Sequence, residues 1–175
     1  MIEALITSKT RLKILLKFFL NPSNSAYLRS LESDFEESTN GIRKELNRLE
    51  EANMLYSNTE GNRKVYTVNQ THPLYSEINS LVRKHVGLDL LVEKIVSKIG
   101  GLESVFLVGK LAQGLDDDSI DVILVGDINT DYLEKLLKSA KSILKKKINY
   151  TIYSTIYTAQ SVLSSSPSLL LWNKE

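Results

Sequence analysis

The segment from Val105 to Asp127, VFLVGKLAQGLDDDSIDVILVGD, constrains the fold of this chain more than any other. Two apolar runs, Val105 to Val108 and Ile120 to Val125, each end in a glycine, Gly109 and Gly126. Runs this short, rich in Val, Ile and Leu and closed by glycine, read as buried strands rather than helices. Between them, Lys110 to Gln113 are long enough for one short helix, which Gly114 stops. Strand, glycine-led turn, short helix, acidic loop and strand together bring Gly109, Lys110, Ser119 and Asp121 to one end of a sheet. That end is the part of the chain most shaped like an active site.

On these residues the segment resembles the minimal nucleotidyltransferase domains related to DNA polymerase beta. Gly109 falls on the pattern's glycine, and Ala112 and Gly114 match the end of its short helix. Lys110 stands where serine is usual, and Gln113 where arginine is usual. In Asp118-Ser119-Ile120-Asp121, Asp121 falls on the second carboxylate of the family's Asp-x-Asp pair and Ser119 on the first. The third acid belongs on a later strand, read here as Ile148 to Ile152, with Asn149 at its position. The resemblance implies a nucleotide-binding pocket formed by Gly109, Lys110, Ser119 and Asp121. Residues i and i+2 of a strand share a face, so two carboxylates at 119 and 121 would converge on Mg²⁺ and a triphosphate. Ser119 and Asn149 are neutral, whereas Mg²⁺ favours hard, charged oxygen ligands. The expectation is therefore a domain without Mg²⁺-dependent chemistry, with no catalytic residue, metal or cofactor. Lys110 either holds a phosphate or fills the site with a positive charge; both readings stay open.

A chain of 175 residues suits one large domain or two small ones. Its formal charge of +1 makes any basic surface a local feature. The absence of cysteine excludes disulfides and thiolate metal sites and suits a reducing cytoplasm. The first residues lack the apolar core of a signal peptide, and no apolar run reaches 18 residues, so a cytoplasmic protein with no membrane partner is expected. His72 and His85 have no carboxylate or second histidine spaced to join them, and read as ordinary surface or packing residues.

The N-terminal third reads as three helices and a hairpin. Thr7 or Ser8 caps a mostly buried helix that ends at Asn21-Pro22. A second helix is expected over Ser25 to Ser33. A third opens at Ser38 or Thr39 with Ile42, Leu46 and Leu49 on one face. Alternation in Met54 to Thr59, a turn at Glu60-Gly61-Asn62 and the run Arg63 to Val68 argue for a hairpin. This order is that of a winged helix-turn-helix, in which a helix enters the major groove and the wing meets phosphates.

The stretch from Leu5 to about Leu81 resembles the ArsR-like winged-helix repressors, and more narrowly those fused to a minimal nucleotidyltransferase-like domain. The pieces that carry this are Ser8 to Leu15, Tyr27 to Leu31, Lys44 to Ala52, Glu60 to Tyr66 and Asn69 to Tyr75. The resemblance implies a recognition helix over Thr39 to Asn53 and a wing over Tyr56 to Val68. Thr39, Asn40, Arg43, Lys44, Asn47, Arg48, Arg63 and Lys64 are the expected contacts to double-stranded DNA.

After the wing, a helix starting at Pro73 and a second stripe from Leu88 to Ile99, parted by Gly87, form an apolar connector. Its surface is the expected contact of a homodimer, which two-fold operator DNA would also require. Thr130 or Asp131 caps a further helix through Ala140, with Lys138, Lys141, Lys145, Lys146 and Lys147 crowding its end. Asn149 to Tyr157 reads as a strand and Ala159 to Leu163 as a short helix. The fold expected is two-domain α+β: residues 1–70 a winged helix-turn-helix, 71–100 a helical connector, and 101–175 an α/β nucleotidyltransferase-like domain with a small mixed sheet. The function expected is a sequence-specific DNA-binding transcriptional regulator, whose second domain senses a nucleotide or small-molecule effector or drives assembly. An active nucleotidyltransferase and a cytosolic interaction module are the alternatives.

Overall fold

The computed structural model describes residues 2–144 and 146–174, with the side chains of residues 140–142 outside that description. Lys145, expected at the end of a helix, thus falls outside it, as do the side chains of Ala140 and Lys141. The architecture is α+β in two units, Met1–His85 with Gly114–Asp116 and Val86–Gln113 with Asp117–Glu175. The division falls at the end of one connector helix, inside the 71–100 stretch.

In the first unit, Ser8 caps α1 (Lys9–Leu15), its Oγ accepting from the Arg11 amide at 3.2 Å. The helix continues as a π-helical turn, Leu16–Leu20, and every residue from Ile14 to Leu20 is buried. Lys17 lies among them with its ammonium 3.1 Å from Asp34 Oδ2. Ser25–Tyr27, expected as the start of a helix, instead form strand β1, paired with residues 65–67. Three residues show no clear alternation, so only their distant partner makes them a strand. Helix α2 (Leu28–Phe35) follows, and then α3 (Thr39–Glu51), capped by Ser38. The i, i+4, i+7 spacing holds: Ile42, Leu46 and Leu49 are buried on α3, and Glu45 with them. Strands β2 (Leu55–Glu60) and β3 (Arg63–Val68) close a hairpin at Gly61, whose φ of +63° suits glycine. The sheet order is β1-β3-β2, all antiparallel.

Pro73 precedes the connector's first helix, α4 (Tyr75–Val86), rather than lying in its first turn. Tyr75 stacks on Phe19, and Asn79 donates to the Phe19 carbonyl at 2.6 Å. Gly87, at φ +84°, parts α4 from α5 (Leu88–Val96). Val82, Val86, Leu88, Leu91, Ile95 and Ile99 are all buried within the single chain. Of the same apolar stripe, Ile78, Leu81, Val92 and Val96 are half-buried and Leu74 is 49% exposed.

The second unit is a four-stranded mixed sheet in the order β6-β5-β4-β7. Strands β4 (Leu102–Val108) and β5 (Ser119–Gly126) pair antiparallel, and β6 (Lys147–Tyr153) joins β5 in parallel. The parallel pair needs a crossover, which α7 (Thr130–Leu144) supplies. Asn129 caps it, accepting from the Tyr132 amide at 3.0 Å, in place of Thr130 or Asp131. The strand expected over Asn149 to Tyr157 stops at Tyr153, because Thr155 caps α8 (Ile156–Ser165) and turns the chain into helix. Ala159 of α8 packs on Ile123 and Val125 of β5, covering that part of one sheet face. Residues Leu169–Asn173 form an edge strand, β7, antiparallel to β4. Between β4 and β5 lies the single-turn α6 (Gly109–Ala112). Among the described residues no helix is long and apolar enough to cross a membrane.

Candidate functional site

In the first unit, the start of α2, one face of α3 and the β2–β3 hairpin enclose a groove of about 830 Å³. Four cations line it, Arg29, Arg43, Arg63 and Lys64, against one carboxylate, Asp34. That carboxylate is engaged by Lys17, so the groove carries a concentrated positive charge on a chain near neutrality. Asn47, Asn62, Ser30 and Ser33 add hydrogen-bonding groups to the same wall, and Tyr27 and Tyr66 add aromatic ones.

Of the eight residues expected to contact DNA, Arg43, Asn47, Arg63 and Lys64 meet in this groove. Thr39, Asn40, Lys44 and Arg48 lie on α3 but do not line it. Asn40 accepts from Arg43 Nη1 at 3.4 Å, one turn along the helix. Lys44 is exposed. Arg48, about half exposed, has its Nη1 3.6 Å from Glu45 Oε1. Glu45 also accepts from Ser8 Oγ at 3.1 Å and from Arg11 Nε at 2.9 Å, which ties α1 to α3. Burial pushes its carboxyl up, but the hydrogen bonds from Arg11 and Ser8 outweigh this and hold it below the usual range. The charge of Arg48 is thus shared with a structural carboxylate.

The two wing cations are held differently. Arg63 lies over the Tyr27 ring, 4.9 Å from its centroid. Lys64 lies 5.1 Å from the Tyr66 ring centroid and donates to Glu50 Oε2 at 2.6 Å. Ser57 of β2 donates to the other oxygen of Glu50. Those two hydrogen bonds hold the Glu50 carboxyl below its ordinary value, and the bond to Glu50 holds the Lys64 ammonium above its own. Both side chains are partly exposed, so the pair contributes only about 0–1 kcal/mol to stability.

Arg29 is the groove cation that the sequence reading lacks. Its position depends on β1 pairing with β3, which sets Tyr27 opposite Val65 and brings the start of α2 beside the hairpin. The available signal was the string Tyr27-Leu28-Arg29-Ser30, once read as strand into helix rather than as helix alone.

In the second unit the sheet brings together the residues expected at its end. Asp121 of β5 stands opposite Val108 of β4 and Asn149 of β6. Asn149 Nδ2 donates to Asp121 Oδ1 at 2.7 Å. Gly109, with φ +72°, leaves space for the other oxygen: a Cβ added there would lie 2.4 Å from Asp121 Oδ2. Ser119 Oγ donates to Asp117 Oδ2 at 2.7 Å, and Lys110 Nζ lies 3.7 Å from Asp117 Oδ1. The main-chain carbonyl of Asp117 accepts from Lys146. The hydrogen bond from Ser119 holds the Asp117 carboxyl below its usual value. Each carboxylate therefore faces a neutral or cationic side chain of this chain. Among the described residues, no three His, Cys, Asp or Glu side chains are grouped to hold a metal ion.

No family model and no curated protein matches this sequence. Among solved structures it is similar to a mutant of the toxin–antitoxin MntA-HpeT, at 16% identity over 51% of this chain and 74% of that one, with a TM-score of 0.42. It is similar to HlyU from Vibrio cholerae, at 21% identity over 52% of this chain and 84% of that one, with a TM-score of 0.36. It is also similar to the adhesin competence repressor AdcR from Streptococcus pyogenes, at 18% identity over 55% and 75%, with a TM-score of 0.40. Each likeness covers about half of this chain.

Proposed function

We propose that the first unit is a winged helix-turn-helix that binds double-stranded DNA, and that the protein is a sequence-specific transcriptional regulator. The observation that carries this reading is the groove between α2, α3 and the hairpin, lined by Arg29, Arg43, Arg63 and Lys64 and by one carboxylate, Asp34, that Lys17 already engages. A phosphate backbone is the polyanion that such a groove suits, because cations released from DNA by Lys and Arg supply sequence-independent affinity. Asn40, Arg43, Lys44 and Asn47 on α3 are the side chains placed to reach base edges, where Asn and Arg read adenine and guanine by paired hydrogen bonds. In this reading residues 1–70 bind DNA, 71–100 connect, and 101–175 form a nucleotidyltransferase-like domain. Binding to a two-fold operator requires a homodimer.

Selection of fragments bound by the intact protein from genomic DNA tests the reading. The expected result is recovery of a common sequence motif, with affinity for the recovered duplex falling steeply as salt rises. Recovery of no motif, with no salt-dependent binding to any duplex, would sink it.

The second unit, in the same reading, keeps the fold of a nucleotidyltransferase without its chemistry and takes a nucleotide or small-molecule effector beside Gly109, Lys110, Ser119 and Asp121. Asp121 is hydrogen-bonded by the Asn149 amide where a metal-gathering carboxylate would be needed. Purified protein incubated with labelled nucleoside triphosphates and Mg²⁺ or Mn²⁺, alone and with cell extract, is expected to show no label transfer. Transfer that disappears in Asp121→Ala would place the protein among the enzymes instead.

A further inference from the structure

Within the groove, one cation is not available in the way the other three are. Lys64 donates to Glu50 Oε2 at 2.6 Å, and Glu50 is itself held by Ser57. Glu50 is the last but one residue of α3, so the pair joins the end of this helix to the hairpin. Among the described residues Arg63 has no carboxylate partner; it lies over the Tyr27 ring and keeps its guanidinium edge for other acceptors. We infer that Glu50 is a built-in attenuator of DNA binding, occupying Lys64 so that the wing offers the phosphate backbone one cation, Arg63, rather than two. The inference rests on the DNA-binding reading above and names a residue that sets its strength.

The chemistry favours competition rather than addition. A Lys ammonium is a compact point charge, and a carboxylate already bound to it must be displaced or shared before a phosphate gains the contact. The Glu50 charge, bound to a cation that lines the groove, also repels a polyanion directly. Geometry makes the hold specific: Ser57, on the strand partnered with β3, orients the carboxylate toward Lys64. Glu50 is thus tied at both oxygens, and swinging aside would cost two hydrogen bonds at once.

The test is fluorescence anisotropy of a labelled mixed-sequence DNA duplex against the full chain, across a salt series from about 50 to 200 mM. Glu50→Gln is expected to tighten binding by roughly threefold to tenfold at the low end, and to steepen the slope of log affinity against log salt by about 0.9, one phosphate's worth. Lys64→Ala in the otherwise unaltered chain is expected to leave that slope unchanged, since Lys64 is already occupied. In the double variant Glu50→Gln, Lys64→Ala the steeper slope is expected to vanish. Glu50→Ala, which removes the hydrogen bond to Ser57 as well, serves as a second release variant, and far-UV circular dichroism checks that each variant is folded. Unchanged affinity and slope in both release variants would overturn the inference. So would a slope gain that survives removal of Lys64, because it would then be a general charge effect. Arg63→Ala separates the two claims: a weaker, shallower response there, beside inert Glu50 variants, leaves the DNA reading standing and the attenuator refuted. No salt-dependent binding by any of these proteins overturns both.

Discussion

Replacing Arg29, Arg43 and Arg63 together with alanine is expected to abolish most duplex DNA binding while leaving the fold intact. Each guanidinium in the groove can make a charge-assisted contact worth about 1.5–3 kcal/mol, so their combined loss should weaken binding by about a thousandfold or more. The slope of log affinity against log salt should fall by about 2.7, three phosphates at roughly 0.9 each. The three side chains line a surface groove rather than the core, so the cost in stability is confined to the stacking of Arg63 on Tyr27, about 0.5–1 kcal/mol at an exposed site. Anisotropy titrations and a thermal melt on the same preparation check both halves. An unchanged affinity and slope would show that nucleic acid, if bound, meets some other surface. Arg29→Ala alone is the most informative member of the set, because its place in the groove follows from the strand pairing of β1 and not from the sequence of α3.

Leu46→Ala should have the opposite profile, a large loss of stability and a loss of binding that merely follows it. Leu46 is fully buried on the inner face of α3, with Ile42 and Leu49. Removing it takes away the transfer free energy of its side chain and leaves a cavity, together about 2–5 kcal/mol. In a domain of this size each kcal/mol moves the melting temperature by roughly 4–8 °C, so a fall of about 10 °C or more is expected. Lys44→Ala, two residues earlier on the same helix and exposed, should change stability by less than about 0.5 kcal/mol. Differential scanning calorimetry of the two variants makes the comparison. Equal melting temperatures would mean that α3 is not packed as the buried Ile42, Leu46 and Leu49 require.

These two variants also mark which information was local. The inner face of α3 follows from spacing alone, because apolar side chains three and four residues apart must share a side of any α-helix. The β2–β3 hairpin follows from alternation and from Gly61, which takes the positive φ that the turn needs. The arrangement of Gly109, Ser119 and Asp121 likewise follows from two short apolar runs closed by glycine, and the strand registers place Asp121 between Val108 and Asn149. In each case the determining forces act over a few residues, or between strands joined by a short connection.

What lay outside the sequence's reach was decided by partners distant along the chain. Ser25–Tyr27 and Leu169–Asn173 are strands because β3 and β4 present open edges to them, and neither segment has enough alternation to declare itself. The connector's apolar stripe is legible from sequence, but which of its residues the chain itself covers is not: Val82, Val86, Leu88, Leu91, Ile95 and Ile99 are buried, whereas Leu74 is exposed and Ile78, Leu81, Val92 and Val96 are half-buried. Periodicity shows that a face is apolar and says nothing of what buries it. The pairing of charges was the least legible of all. Asn149 could be placed beside Asp121 from the strand pattern, but Glu45 with Arg11 and Arg48, and Glu50 with Lys64, depend on helix packing and on where the hairpin folds back. Residue types determined that the first unit would carry cations on α3 and on the wing; only the tertiary structure decided which of them are neutralised, because a charge's partner is set by distance through space and not by its position along the chain.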